Sequence, residues 1–217
     1  MRKPGFLLLI LAGLITLIGF IPDQSEKVQF LFNGQDIVNR ISSDYADTPI
    51  FAGREDVEDY LKNSDLGIEL QIPKTIIRGR EGHVEMSARL ATPSGPGQIE
   101  AAPVDFGLQI KSQLEFPRQF VEPVGINLKN ISRQDFPTFH WNLLSDHPET
   151  LTGKLWIYLS MQNSQGLLLD YPLMAREMDI PVSTLWGVDL RTSRIVSLCL
   201  AILGAAVLIF GKFVLKK

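Results

Sequence analysis

The stretch HVEMSARL, from His83 to Leu90, alternates strictly between polar and apolar side chains. Successive side chains of an extended strand point to opposite faces, so alternation with period two is typical of a strand that is buried on one face. Three more stretches repeat the pattern, with apolar positions at Phe106, Leu108, Ile110, Leu114 and Phe116, at Phe139, Trp141 and Leu143, and at Leu155, Ile157, Leu159 and Met161. We therefore expect antiparallel sheet with one apolar face.

Shorter strand candidates and turn-forming spacers surround these stretches. The candidates are residues 67–72, 75–78, 119–129 (with a candidate break at Pro123), 167–173 and 179–182. Glycine and proline punctuate the spacers between them, as chain reversals require. About seven or eight short strands with such turns predict a mainly β fold with two packed antiparallel sheets, a sandwich of immunoglobulin-like type. We place this β-sandwich domain at residues 66–183.

The segment before the sheet, residues 23–65, has a different pattern. Residues 33–41 form one short helix candidate and residues 54–63 a better one, with Val57, Tyr60 and Leu61 on one side. Acidic residues in the first turn of the second candidate suit the positive end of a helix dipole. We expect a mixed, short helical arm before the sandwich.

Two uncharged apolar segments bracket the chain. Residues 6–21 read FLLLILAGLITLIGFI and residues 195–210 read IVSLCLAILGAAVLIF. A helix needs roughly 20 apolar residues to cross a hydrocarbon core of about 30 Å. The sequence thus predicts two flanking transmembrane helices, a signal anchor at 1–22 and a C-terminal helix with a basic tail at 194–217, joined to the sandwich by a juxtamembrane segment at 184–193. A cleaved signal peptide is the rival interpretation of the first segment.

The distribution of charge predicts sidedness and excludes one class of partner. Basic residues beside the two apolar segments place both termini in the cytoplasm, because such residues stay on that side of a membrane. We then expect an integral membrane protein with an extracytoplasmic central domain. Residues 23–193 hold all 24 acidic residues and 15 of the 21 basic ones, a formal charge of −9. So acidic a domain repels nucleic acid, which we exclude as a partner.

No pattern in the sequence indicates catalysis, a cofactor or a metal. His83, His140 and His147 match no metal-ligand spacing, although His140, His147 and Asp146 could form a thin site. The chain has no G-x-S-x-G elbow, and its single cysteine, Cys199, lies in the second apolar segment. We predict that the protein is not an enzyme.

Two sets of residues are candidates for contacts with other chains or helices. Trp156 and Tyr158 lie on the strand face opposite Leu155, Ile157 and Leu159, where they either pack beneath the helical arm or meet a partner, since such aromatics are enriched in interfaces. Small residues recur in the second apolar segment, and such stripes let helices approach closely. This candidate helix-packing set is Ser197, Ala201, Gly204, Ala205 and Gly211, with Ala12 and Thr16 as a matching stripe on the first segment.

The anchors, the acidic sandwich and the lack of a catalytic pattern together predict an interaction module. We expect an accessory or scaffolding subunit of a membrane complex, whose partners are the lipid bilayer and another membrane protein or a second copy of itself. The alternative is a domain that binds a ligand or calcium through the end loops 92–97 and 145–153, because function on β-sandwiches concentrates in such loops.

Overall fold

The computed structural model describes residues 7, 9–13, 24–45, 51, 55–91, 107–116, 121–132, 135–145, 150–162, 168–184 and 190–214. The strands are β1 (Ser25–Asn33), β2 (Asp65–Pro73), β3 (Ile76–Ile77), β4 (Glu81–Ala91), β5 (Leu108–Glu115), β6 (Val121–Glu122), β7 (Ile126–Asn130), β8 (Thr138–Leu144), β9 (Leu151–Gln162), β10 (Leu168–Ile180) and β11 (Val182–Ser183). The helices are α1 (Gly34–Asp44), α2 (Glu55–Lys62) and α3 (Leu190–Val214).

Two sheets form the body of the molecule. A five-stranded sheet has the order β1-β2-β4-β8-β6, and a four-stranded sheet has the order β10-β9-β5-β7. Neighbouring strands in both sheets are antiparallel, whereas the short strands β3 and β11 pair in parallel. One apolar core contains buried residues from both sheets. The predicted mainly β sandwich is confirmed.

The alternating stretches of the sequence supply the core. β4, β5, β8 and β9 bury every second residue over most of their length. Phe139 and Trp141, at 2% and 1% exposure, stack with ring centroids 6.0 Å apart. Ser112 is fully buried on the same apolar face of its strand as Ile110. Because the inner faces of both sheets are buried in this core, a partner or ligand must contact the outer faces, the sheet edges or the loops.

The N-terminal segment contains both predicted helices and one strand that we did not predict. β1 pairs with β2 and is the edge of the five-stranded sheet, so that sheet begins within the expected helical arm. Asn33 caps α1, where its side chain accepts a hydrogen bond from the Asp36 N–H at 3.3 Å. Gly34 allows a close helix approach, since a Cβ there would overlap the carbonyl oxygens of Leu61 and Ser64. Both helices bury apolar residues in the common core.

The prediction of two flanking transmembrane helices is wrong. Within the parts of the chain that the structure describes, no helix is long and apolar enough to cross a membrane. The first predicted segment falls mostly outside the described residues, apart from the helical residues 7 and 9–13.

Candidate functional site

The outer face of the four-stranded sheet carries the two aromatic residues that the sequence singled out. Across β7, β5 and β9, Ile126, Gln113 and Trp156 are opposite one another in register. The next outward row joins Leu128, Lys111 and Tyr158. These two rows, together with Lys154, Glu115 and Val124, are called the aromatic face below.

Trp156 and Tyr158 are held in place by their neighbours. Their rings stack with centroids 6.5 Å apart and planes inclined by 15°. The Lys154 ammonium lies 4.4 Å from the Trp156 ring centroid, and the Trp156 indole N–H donates to Glu115 at 3.0 Å. Lys111 lies over the other ring, 5.4 Å from the Tyr158 centroid. Both aromatic side chains are therefore half-buried and ordered while still facing outward.

Beside the aromatics, the strand β7 exposes aliphatic side chains. Ile126 is 56% exposed and Leu128 is 44% exposed, and Val124 just before the strand is also exposed. The Ile131 N–H donates to the Leu108 carbonyl in β5 at 3.0 Å. Because backbone groups alternate along a strand, the N–H and C=O groups of Ile126 and Leu128 then point away from β5, along the edge of the sheet. The aromatic face thus continues to an edge that can pair with another strand.

A polar cluster adjoins the aromatic face on β5, β9 and β10. Asp170 accepts hydrogen bonds from the Lys111 ammonium and, at 2.5 Å, from the Ser160 hydroxyl. Burial would raise the pKa of Asp170, but the hydrogen bonds from Lys111 and Ser160 and the charge of Lys111 outweigh it and lower that pKa. A carboxylate with a lowered pKa is a poor general base. The cluster joins three strands and positions Lys111 over Tyr158.

The outer face of the five-stranded sheet is mainly polar and pairs its groups across strands. Lys27 forms an ion pair with Glu69 at 2.8 Å, and His83 shares a hydrogen bond with Asn142 at 2.8 Å. His140 lies 3.6 Å from Glu85. Among the described residues no three potential ligands converge on a metal position. His147 and Asp146 lie outside the described residues, so the thin metal site of the sequence analysis remains untested.

The helix-packing candidates on α3 fall in different environments. Ser197 and Gly204 are buried, Ala201 is half-buried and Ala205 is exposed, while the surroundings of Gly211 lie outside the described residues. The Ser197 hydroxyl donates to the Ala12 carbonyl at 2.9 Å. At Ser197, the contacting helix is therefore the N-terminal one of the same chain, and the contact is at Ala12 of the matching stripe.

Sequence reasoning missed the aliphatic part of the aromatic face. Residues 119–129 were expected to form a strand with a candidate break at Pro123, and the structure divides them there, between β6 in the five-stranded sheet and β7 in the four-stranded sheet. The alternation in INLKN (126–130) was a visible signal. Its usual interpretation places Ile126 and Leu128 inside, whereas the structure places them outside. The end loop 92–97 and residues 146–149 of the loop 145–153 lie outside the described residues.

Comparison with known proteins gives no family. No protein-family model matches the chain, and no curated protein matches it. Similar solved structures include the CARDB domain of a Pyrococcus furiosus protein in complex with di-metal ions, with a TM-score of 0.33 and 8% identity over 56% of this chain and 90% of that one. A cohesin module from a family 33 glycoside hydrolase of Clostridium perfringens has a TM-score of 0.32 and 10% identity over 54% and 96%. Likenesses this weak support no conclusion about function.

Proposed function

We propose that the protein is a non-catalytic interaction module that binds another protein through the aromatic face. One observation carries the proposal: the stacked pair Trp156 and Tyr158 adjoins the exposed aliphatic residues Ile126 and Leu128 on one sheet face. Binding interfaces concentrate their free energy in aromatic anchors surrounded by less important contacts. This arrangement offers both kinds of residue in neighbouring rows.

The order of the aromatic side chains supports the same proposal. Association costs about 0.5–1.5 kcal/mol for each flexible side chain that becomes immobilised. Trp156 is already fixed by Lys154 and Glu115, and Tyr158 is fixed by stacking and by Lys111. The side-chain conformational entropy of these anchors has therefore largely been lost during folding, so a partner would not have to immobilise them.

The occupant that we propose is a different protein rather than a second copy. Residues 23–193 carry a formal charge of −9, so two copies of the domain repel one another. A neutral or basic partner does not meet this repulsion. Within the described part of the chain, no strand lies beside the outer edge of β7, so an extended segment of the partner can join the four-stranded sheet beside Leu128. An accessory or scaffolding role follows from this mode of binding, while the predicted extracytoplasmic, membrane-associated location stays a prediction.

Site-specific crosslinking in the native host tests the proposal. A photoreactive phenylalanine analogue replaces Ile126 in one strain and Leu128 in another. His83, on the outer face of the other sheet, is the matched control position. We expect both aromatic-face positions to crosslink to the same protein, identified by mass spectrometry, and the adduct to disappear when Trp156→Ala is added.

Three results would count against the proposal. Equal crosslinking from His83 would mean that the contact is not specific to the aromatic face. An adduct with the mass of two copies would replace the proposed partner with self-association. A total lack of adducts in the native host would leave the aromatic face without an occupant.

A further inference from the structure

A shallow groove crosses the outer face of the five-stranded sheet. Leu31, Gly67 and Arg89 lie opposite one another on β1, β2 and β4. Phe136, just before β8, continues the row, because the Arg89 guanidinium lies 5.4 Å from its ring centroid. The groove occupies about 360 Å³ and is lined by residues of these strands. It is on the opposite side of the molecule from the aromatic face.

Gly67 creates the depression in this row. Its neighbours Leu66 and Ile68 point into the core, so a side chain at Gly67 would project outward into the groove. A Cβ there would meet nothing closer than the Arg89 carbonyl oxygen at 3.8 Å. The missing side chain therefore leaves open space rather than satisfying a tight contact. Leu31 borders that space and is 75% exposed, and Phe136 at its far end is 48% exposed.

The charge of the groove is positive where the row crosses β4. Glu69, the acidic residue of the lining, already accepts hydrogen bonds from Lys27 at 2.8 Å and from Gln29 at 3.3 Å. Within the described residues, the ring of Phe136 is the side-chain partner of the exposed Arg89 guanidinium. Its hydrogen-bond donors thus remain for a ligand, and a carboxylate is the group that matches their geometry.

We propose that this groove binds an extended protein segment with the pattern apolar-x-acidic-x-apolar. Strands lie about 4.8 Å apart, so the row from Leu31 to Phe136 spans about 14 Å. An extended segment rises about 3.3 Å per residue, so its first and fifth side chains, which point the same way, are about 13 Å apart. The first apolar side chain packs on Leu31 beside Gly67, the acidic third residue binds the long side chain of Arg89, and the fifth residue contacts Phe136.

The overall acidity of the domain does not prevent this binding. Charges separated by more than about 8 Å are largely screened at physiological ionic strength. The contact between the acidic residue and Arg89 is direct, whereas most of the negative charge is spread over the rest of the chain. We expect the repulsion to slow association at low salt and to have less effect on the bound complex.

Fluorescence anisotropy with the full-length protein tests the proposal. The probe is a labelled peptide of sequence Leu-Thr-Asp-Thr-Leu with both ends blocked, and the control peptide carries Asn in place of Asp. Arg89→Met removes the charge and keeps an apolar stem over Phe136, and Gly67→Leu fills the groove. His83→Ala is the control variant, because His83 lies on the same outer sheet face but outside the groove lining. Folding of each variant is checked by circular dichroism.

We expect the acidic peptide to bind about tenfold or more tightly than the Asn peptide, because the loss of one charge-assisted hydrogen bond typically lowers affinity by about that factor. Arg89→Met should abolish that difference, Gly67→Leu should weaken the binding of both peptides, and His83→Ala should leave binding unchanged. The proposal is overturned if the acidic peptide does not bind, if both peptides bind equally, or if Arg89→Met has no effect. Self-association that Arg89→Met removes, with no peptide binding, would instead assign the groove to a second copy.

Discussion

The two sheets present similar apolar inner faces to the core, but their outer faces differ. The five-stranded sheet satisfies most of its outer groups through cross-strand polar pairs such as Lys27 with Glu69. The four-stranded sheet instead stacks Trp156 on Tyr158 and leaves Ile126 and Leu128 exposed. Inner faces are constrained by packing alone, so they say little about function. The outer faces are free to differ, and there the apolar residues require an explanation.

The largest expected effect compares Trp141, on the inner face of one sheet, with Trp156, on the outer face of the other. Trp141 is 1% exposed in the core, so Trp141→Ala should cost about 3–5 kcal/mol of the free energy of unfolding through the cavity that it leaves. Trp156→Ala on the outer face should cost only about 1–2 kcal/mol. Urea unfolding at equilibrium measures both.

If the two tryptophan variants lost equal stability, Trp156 would be as essential to the fold as Trp141. The aromatic face would then be a structural cover, and its proposed availability to a partner would be contradicted. Trp141→Phe is a useful control because it keeps an aromatic ring in the core.

Two glycines allow the next comparison. A Cβ at Gly34 overlaps backbone oxygens of α2 and the turn after it, so Gly34→Ala should lower the free energy of unfolding by about 1–3 kcal/mol or more. Gly67 has room for a Cβ, and Gly67→Ala should be neutral or raise stability by up to about 1 kcal/mol. Thermal unfolding of the two variants distinguishes them. A destabilising Gly67→Ala would contradict the open groove.

The smallest effect compares one ion pair from each outer face, Lys111 with Asp170 and Lys27 with Glu69, and it depends on pH. The pKa of Asp170 is lower in the folded protein than its ordinary value of about 3.9, so its stabilising contribution is full above that value and is lost as the pH falls through the folded pKa. Asp170→Asn should therefore cost about 1–2 kcal/mol near pH 7 and progressively less below pH 4. Urea unfolding at pH 7 and pH 3 measures the difference.

The pair on the other outer face provides the control for that measurement. The pKa of Glu69 is also lowered, chiefly by its hydrogen bond from Lys27, but both side chains are well exposed. Glu69→Gln should therefore have a smaller effect, which added salt removes. A larger loss of stability for Glu69→Gln than for Asp170→Asn would contradict the conclusion that the Asp170 cluster joins three strands of the four-stranded sheet.

The sequence was sufficient to predict the strands whose two faces differ in polarity. The alternation in 83–90, 139–143 and 155–161 predicted β4, β8 and β9, because a half-buried strand must alternate. It was also sufficient for the two short helices of the N-terminal segment. β1 was missed, since the exposed Leu31 interrupts the alternation of its inward residues Phe30 and Phe32.

The candidate surfaces were harder to predict, because they depend on which strands become neighbours. Trp156 and Tyr158 were identified from their own strand, but Ile126 joins them only through the pairing of β5 with β7 and β9. Nothing in the local sequence indicates that pairing. Likewise, Leu31 and Arg89 are far apart in the chain and meet across Gly67 only once the register is known.

The affinity of the crosslinked partner for purified full-length variants tests the central claim most directly. Isothermal titration calorimetry would compare the original protein with Trp156→Ala and with the control His83→Ala. The account predicts a loss of about thirtyfold or more for Trp156→Ala, as expected of an anchor residue worth about 2 kcal/mol, and no change for His83→Ala. Unchanged affinity in a folded Trp156→Ala variant would contradict the claim that the aromatic face is the binding site.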